Sequence, residues 1–388
     1  MKSVALKPWL RSDGTIGRAR VRAGEVRGGK ICTEQNDRSS VVVGEVPHVF
    51  SDGDAVLILA KYPDKVGRIE DVALTPYRGE NLAGKTLMIW RTGGYGDLLF
   101  ITPAMRRLKK IYPTCRIWFG TRHQYQMVLR GNPDVSRVIT MPFPTSFLEK
   151  VDYHLHFEGA VEQSRDPRLH AVDIFGKRAD VTFGEGDRMP IYAQDQARTE
   201  ILRRELVREG LLTDVPLVGV QARSSSPIRN YPQHLLLKVI QKLARKGHQV
   251  AVFGLKGDFP KGARQRGVLD LCGRYPEMAD TVAVLAACDL LVAPDSSLVH
   301  FAAALRIPTV ALYGPFPGRI RTLHYPLCRT LEVDGKAWPC APCMIHSQQP
   351  CREARKRGQA WSPCFETITP QAVVEAVLDV LNTKESQP

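Results

Sequence analysis

Apolar and polar positions change their rhythm near residue 85 of this chain. Before that point, short β-prone runs at 16–21, 40–43 and 55–59 are separated by turn signals such as Ser12-Asp13-Gly14, Gly28-Gly29 and Ser51-Asp52-Gly53. No stretch there repeats apolar residues at helical spacing, so residues 1–80 are expected to form a small β-rich domain. It holds no recognisable chemistry; it is either an interaction or oligomerisation module or simply structural. From Lys85 onward, apolar runs alternate with amphipathic stretches. Strands are expected at 85–90, 115–119, 137–141, 151–157, 215–220, 249–254, 290–293 and 309–313. Helices are expected at 124–130, 171–177, 197–209, 280–288 and 298–305, after Pro232 and after Thr369-Pro370. Thr102-Pro103 reads as the N-cap and first residue of a second helical stretch. Successive strand–helix units imply mostly parallel sheets. A polar stretch at 183–195 divides them into blocks at 81–190 and 191–388, with a cleft expected between the two.

Three polar, turn-forming segments interrupt this alternation. Arg91-Thr92-Gly93-Gly94-Tyr95-Gly96-Asp97 joins an apolar strand to a helical run of Leu98, Leu99, Ile101, Ala104, Met105, Leu108 and Ile111. Its glycines permit a tight bend and close approach of a ligand to the main chain. Asp97 stands where turn becomes helix. It either caps that helix or presents a carboxylate at the lip of an open α/β sheet, where ligands bind. Pro294-Asp295-Ser296-Ser297 joins a strand to the helix carrying His300. Two hydroxyls and the first amides of a helix suit a diphosphate; a Ser/Asp N-cap with a satisfied core histidine is the alternative. The loop from Gln221 to Pro232 offers Ser224, Ser225, Arg223 and Arg229, either as a phosphate grip or as a polar connection.

Composition narrows the function classes. The 388 residues carry a formal charge of +14, with 44% hydrophobic and 24% charged residues, as in a soluble protein with an anionic partner. Sugar nucleotides, phosphorylated glycolipids, membrane surfaces and nucleic acid all qualify. The aromatic share is 7% and no basic–aromatic stripe stands out, so no specific nucleic acid is expected. No apolar run reaches the roughly 18–20 residues of a membrane span, and the first residues lack the apolar core of a secretion signal, so a cytoplasmic location is expected.

Gly96-Asp97 with the following Leu98 to Thr102-Pro103-Ala104 is similar to the N-terminal signature of glycosyltransferase family 9, the heptosyltransferase family. Pro294-Asp295-Ser296-Ser297-Leu298-Val299-His300-Phe301-Ala302-Ala303-Ala304, followed by Pro308-Thr309-Val310-Ala311-Leu312-Tyr313-Gly314-Pro315, is similar to its C-terminal signature. The resemblance spans residues 85–382. It implies an α/β chain of the GT-B fold: two Rossmann-like domains facing a cleft, here behind a small N-terminal β domain. It also implies inverting, metal-independent transfer of a sugar, typically heptose from ADP-heptose, to a hydroxyl of a glycolipid, lipopolysaccharide or protein, at or near the inner membrane. By the same resemblance Asp97 is the general base, with Gly94 and Gly96 leaving room for donor and acceptor beside it. Arg229 stands where the family has a phosphate-contacting Lys. Ser224 and Ser225 face the diphosphate, Asp295, Ser296, Ser297 and His300 line the donor site, and Asp258 is the candidate for the donor ribose. Two other readings compete: a nucleotide-sugar epimerase-like enzyme, and a non-catalytic anion or nucleic-acid binder on the same shell.

Nine cysteines are many for such a chain. Cys32, Cys115, Cys272, Cys288 and Cys328 are scattered and read as small hydrophobes. Cys340, Cys343, Cys351 and Cys364 are clustered, and a Cys-x-x-Cys with two further thiols suits tetrahedral Zn or Fe. Disulfides or unligated thiols are the alternatives. In layout the loop resembles the cysteine finger of autotransporter heptosyltransferases, which glycosylate protein hydroxyls and carry an extra N-terminal β domain.

Overall fold

The computed structural model describes residues 75–141, 150–164, 166 and 168–385, with the backbone of strand segments at 3–10, 15–22, 26–27, 30–31, 41–42, 48–49, 66–73 and 143–144. The strand expected at 55–59 lies outside the described residues. The chain divides into two compact units: residues 1–166 with 172–183, and residues 167–171 with 184–388.

The first unit opens with β1 (Ser3–Leu10), β2 (Thr15–Arg22) and β3 (Val66–Ala73), an antiparallel sheet in the order β1-β2-β3. Neither β1 nor β3 is anticipated from the sequence. Lys7-Pro8 breaks the pattern of β1, and Arg68, Glu70 and Asp71 give β3 the polarity of a connecting segment. Then come β4 (Thr86–Trp90), α1 (Tyr95–Ile111), β5 (Arg116–Thr121), β6 (Arg137–Thr140), β7 (Tyr153–His156) and α2 (Ala171–Arg178). The four strands β4 to β7 pair in parallel in the order β6-β5-β4-β7. The helix expected at 124–130 is a 3-10 helix, His123–Val128.

Thr102-Pro103 does not open a second helix, because α1 runs unbroken from Tyr95 to Ile111 with Pro103 inside it. A proline there removes the N–H that would reach the Leu99 carbonyl. The Thr102 hydroxyl donates to that carbonyl instead, at 2.6 Å, so the turn closes without it.

The second unit contains α3 (Gln196–Arg208), β8 (Leu217–Gln221), α4 (Gln233–Arg245), β9 (Gln249–Phe253), β10 (Val268–Asp270), α5 (Met278–Leu285), β11 (Leu290–Pro294), α6 (Ser297–Ala304), β12 (Thr309–Tyr313), β13 (Cys328–Glu332), α7 (Arg352–Lys356) and α8 (Pro370–Glu385). Its six strands are parallel, in the order β10-β9-β8-β11-β12-β13. Numbered from its first strand this is the doubly wound order 3-2-1-4-5-6, and the first unit's sheet has the corresponding 3-2-1-4. Strand order therefore reverses once in each sheet, between β4 and β7 and between β8 and β11. Loops leaving the carboxyl ends of those strand pairs frame the places where such sheets bind ligands.

Burial explains which strands the apolar pattern reveals. Every residue of β4, β9, β11 and β12 is buried, as expected of parallel strands covered on both faces. On α4 the buried positions Leu235, Leu236, Val239, Ile240 and Leu243 form one stripe. That stripe packs with Val373, Val374, Val377 and Leu381 of α8 and with Val218, Val220 and Val250 of the sheet. Each such side chain contributes about 1.5–3 kcal/mol by leaving water.

Candidate active site

The first sheet places two loops side by side at its switch point: residues 91–97 after β4 and residues 157–159 after β7. Arg91, buried, donates through Nη1 to the Phe157 carbonyl at 2.6 Å and through Nη2 to Asp97 Oδ2 at 2.8 Å. The return tie is Glu158, whose carboxylate accepts from the Thr92 amide. Two charged side chains thus bind the loops reciprocally. Next along β7, Arg178 donates to the His156 carbonyl at 2.7 Å and contacts the His156 ring at 2.8 Å, while His154 and His156 stack on Trp90.

Asp97 is not the helix cap. Gly94 is the N-cap residue of α1 and has no side chain to cap with; Asp97 lies within the first turn, with its carboxylate accepting from Arg91. The Asp97 side chain keeps 30% of its surface exposed, whereas that of Arg91 keeps 6%. The carboxylate is accessible and its countercharge is not. Gly94 takes φ 83°, ψ 110°, a conformation closed to other residues, and a Cβ built there falls 2.4 Å from Asp97 Oδ2. Gly94 therefore gives the Asp97 carboxylate its space. Gly96 forms part of the first turn of α1.

In the second unit, the loops after β8 and β11 meet at the corresponding switch point. Ser296 is the N-cap residue of α6, yet its side chain does not cap the helix; its hydroxyl donates to Gln221 Oε1 at the end of β8. The first amides of α6 are left without a side-chain cap, with Ser297 as the first helical residue. Asp295 is 4% exposed and faces Arg229 at 3.6 Å, an ion-pair distance rather than a hydrogen bond. Buried Arg229 Nε and Asp295 Oδ2 have no hydrogen-bond partner among the described residues. Such groups are costly unless a ligand or water completes them. Donor and acceptor sit together here, beside uncapped helix amides, which suits an anionic ligand carrying hydroxyls.

The remaining residues of this edge divide into loop-shaping and ligand-facing groups. Ser224 is spent on the loop: its hydroxyl has one proton to give and lies within reach of both the Ser226 carbonyl (3.0 Å) and Asn230 Oδ1 (2.9 Å), while its amide donates to Asn230 Oδ1. Ser225 Oγ accepts from Arg229 at 3.1 Å and so orients the guanidinium. Buried His300 lies against the Tyr325 hydroxyl at 3.0 Å. Burial, then the neighbouring His170, Arg321 and Arg229, holds its imidazole well below the usual histidine range, so it is neutral. Asp258 follows β9, accepts from the Leu255 amide at 2.8 Å and faces Arg223 at 3.6 Å. Its carboxylate is thus used, at least in part, to close the turn in which it sits.

Cys340, Cys343, Cys351 and Cys364 are all free thiols. Burial first, then the neighbouring Cys351, Cys340 and Cys343, push the Cys364 thiol up to about 12. The four thiols do not converge as closely as a bound ion requires: among the described residues, the group of metal-ligating side chains whose atoms lie within 4.8 Å of one another is His170, Asp173 and His324. Cys351 Sγ also accepts the Ala354 amide at the start of α7. Cys115, Cys288 and Cys328 are held up by burial and read as structural.

The two glycine- and serine-rich turns are legible in the sequence, whereas the roles of Arg91, Glu158, Gln221 and Asn230 are not. The signal for Arg91 is a charged residue set directly after an apolar strand. The other three lie in ordinary polar stretches, and nothing local distinguishes them.

A family model, glycosyltransferase family 9 (heptosyltransferase), matches residues 170–350. The chain is 33% identical over 251 residues to lipooligosaccharide heptosyltransferase 2 of Haemophilus ducreyi, covering 55% of this chain and 72% of that protein. It is 26% identical over 224 residues to lipooligosaccharide heptosyltransferase 2 of Haemophilus influenzae, covering 50% of this chain and 64% of the relative, just under two thirds of its length. Among solved structures, the iron-containing dodecameric heptosyltransferase TibC of enterotoxigenic Escherichia coli, in complex with ADP-D-β-D-heptose, shares the fold. That match has a TM-score of 0.56 at 15% identity and covers 81% of this chain and 82% of that one.

Proposed function

Because the chain belongs to glycosyltransferase family 9, we propose that it transfers heptose, with inversion, from ADP-heptose to a hydroxyl of a lipopolysaccharide core acceptor. The observation that carries this reading is the Asp97 carboxylate, partly exposed at the reversal of the first sheet and held by a buried arginine. As the acceptor oxygen forms its bond to the anomeric carbon, Asp97 takes the hydroxyl proton. On the opposite face the bond from the anomeric carbon to the diphosphate breaks, and the electron pair leaves with ADP. Arg229 and the uncapped amides of α6 receive the charge that develops on the diphosphate. A positioned base is worth about 10²–10⁴-fold. Neutral His300 and Ser225 hold Tyr325 and Arg229 in place, and Asp295 offers an acceptor for a sugar or ribose hydroxyl.

The test is Asp97→Asn, which preserves shape and removes the base. ADP release and product formation should fall at least about a hundredfold, while calorimetric affinity for ADP stays unchanged. Near-native turnover in Asp97→Asn would sink the reading.

A protein hydroxyl is the second acceptor reading, favoured by the four-cysteine loop and the antiparallel N-terminal sheet. Offering purified Asp97→Asn and native enzyme both a heptose-deficient lipopolysaccharide and a serine-rich protein acceptor separates the two. Cys340, Cys343, Cys351 and Cys364 would hold a structural Zn or Fe ion: four free thiols lie within one short segment, and an N–H···S bond already orients one of them, so that binding would draw the thiols together. That ion would hold the loop together and take no part in transfer. No helix among the described residues is long and apolar enough to cross a membrane. On its formal charge of +14 and the anionic acceptor proposed here, we place the enzyme peripherally, at the cytoplasmic face of the inner membrane, and assign any self-assembly to the N-terminal sheet.

A further inference from the structure

We propose that Arg91 is the positioning residue of this site: its guanidinium ties Asp97 to the Phe157 carbonyl and so sets the direction from which the acceptor proton is taken. The inference rests on Asp97 being the base. It is carried by the geometry of one buried side chain. Nη1 reaches the loop after β7 at 2.6 Å and Nη2 reaches the carboxylate at 2.8 Å, so two diverging N–H groups span two separate loops. An aspartate in the first turn of a helix ordinarily folds back to accept that helix's own amides. Here the N-cap residue is Gly94, which has no side chain, and Asp97 Oδ2 accepts from Arg91 at 2.8 Å.

Burial makes this tie strong. The Arg91 side chain is 6% exposed and its guanidinium lies 5.8 Å from the centre of the Phe175 ring. A charge placed so cannot swing to solvent, and its electrostatic effect on the carboxylate is weakly screened. Glu158 fixes the loop from the other side through the Thr92 amide, so the carboxylate is braced against β7 from both directions. A lysine would supply the charge as a point donor, but not the planar fork that holds two acceptors in different directions.

Arg91 thus has two separable duties: it supplies Asp97 with a buried countercharge, and it keeps Asp97 aimed. The other ionisable groups of this edge are Glu158 after β7, His156 at its end with Arg178 of α2 against it, and Tyr95 and Tyr125, which pack edge to face at 4.8 Å; Asp173 of α2 lies with His170 and His324. All of these are unchanged in the variants below, so a moved pH profile reports on Arg91.

The experiment compares full-length native enzyme, Arg91→Lys, Arg91→Met and Asp97→Asn, with ADP-heptose as donor and heptose-deficient lipopolysaccharide as acceptor. The pH dependence of kcat is measured beside ADP affinity. Arg91→Met is expected to lose at least about tenfold in kcat and to move the acidic limb of the profile upward by about one pH value or more. ADP affinity should stay within about twofold of native. Arg91→Lys is expected to restore the acidic limb but not kcat, because charge returns and aim does not. Loss of kcat in Arg91→Met with the limb unmoved would make Arg91 a structural tie and overturn the inference. So would native kcat in Arg91→Lys, which also decides the matter if Arg91→Met does not fold. A fully active Asp97→Asn would instead remove the underlying reading, whatever the arginine variants do.

Discussion

Gly94→Ala tests the site at the point where backbone and carboxylate come closest. A Cβ at Gly94 falls 2.4 Å from Asp97 Oδ2, 3.1 Å from its Cγ and 3.4 Å from its Cβ. Ordinary non-bonded separations are about 3.5–4 Å between carbons, so the carboxylate must retreat by about 1 Å. That movement breaks the 2.8 Å contact with Arg91. A displacement of this size at a reacting group costs about 10²-fold, or about 2.7 kcal/mol in the barrier. The backbone adds a separate cost. At φ 83°, ψ 110°, an alanine is strained by about 1–3 kcal/mol, which lowers the melting midpoint by about 2–4 °C per kcal/mol in a unit of this size. The two effects appear in different assays: turnover by ADP release at saturating donor, and stability by calorimetric scan. Gly93→Ala is the control, because a Cβ there meets only the Tyr125 ring at 4.0 Å. It should stay within about 0.5 kcal/mol of native in stability and keep its turnover. If Gly94→Ala turned over as fast as Gly93→Ala, Asp97 would not depend on the space that Gly94 leaves, and the reasoning would fail.

Other outcomes follow from the second unit and from α1. Arg229→Ala removes the charge facing Asp295 and should weaken ADP binding by about 1.5–3 kcal/mol, read by titration calorimetry; unchanged affinity would exclude Arg229 from the diphosphate. His300 is buried and neutral, so its folded pKa lies below the unfolded value of about 6.5. The unfolded chain then binds the extra proton as pH falls through that value. Stability should drop on acidification below about pH 6.5, by up to about 1.4 kcal/mol per pH unit. His300→Asn should flatten that slope in denaturant titrations, and an unchanged slope would assign it to other groups. Thr102→Val leaves the Leu99 carbonyl without its 2.6 Å donor and should cost about 1–3 kcal/mol. In Thr102→Val/Pro103→Ala the alanine N–H takes over, so the double variant should recover most of the loss. If the cysteine loop holds the proposed Zn or Fe, chelation or Cys343→Ser should release that ion and lower the melting midpoint; metal analysis that finds neither Zn nor Fe in the purified protein would remove that site.

The elements legible from the chain are those whose burial is uniform. β4, β9, β11 and β12 are apolar at nearly every position because helices cover both faces of a central parallel strand. α4 is legible because its buried stripe recurs at helical spacing. β10 and β13 escape notice because each is an outermost strand with mixed burial, and Val268–Asp270 and Cys328–Glu332 read as connections. The unbroken α1 escapes for a different reason: proline is a sound stop signal, and only the position of the Thr102 hydroxyl shows that the carbonyl is satisfied.

The site divides along the same physical line. Sequence by itself determined the two turns that matter, because glycines, serines and an aspartate between strand and helix are a local requirement of that geometry. It therefore determined Asp97, Asp295, Ser296 and Arg229 as candidates. Only the tertiary structure decided what each of them faces. Arg91 and Phe157 are 66 residues apart, as are Thr92 and Glu158, and Gln221 and Ser296 are 75 apart. These pairs meet because strand order reverses between β4 and β7 and between β8 and β11. That reversal is a property of how the strands pair, which no local pattern encodes. It turns an aspartate whose place in the chain would equally suit a helix cap into a carboxylate aimed by a buried arginine.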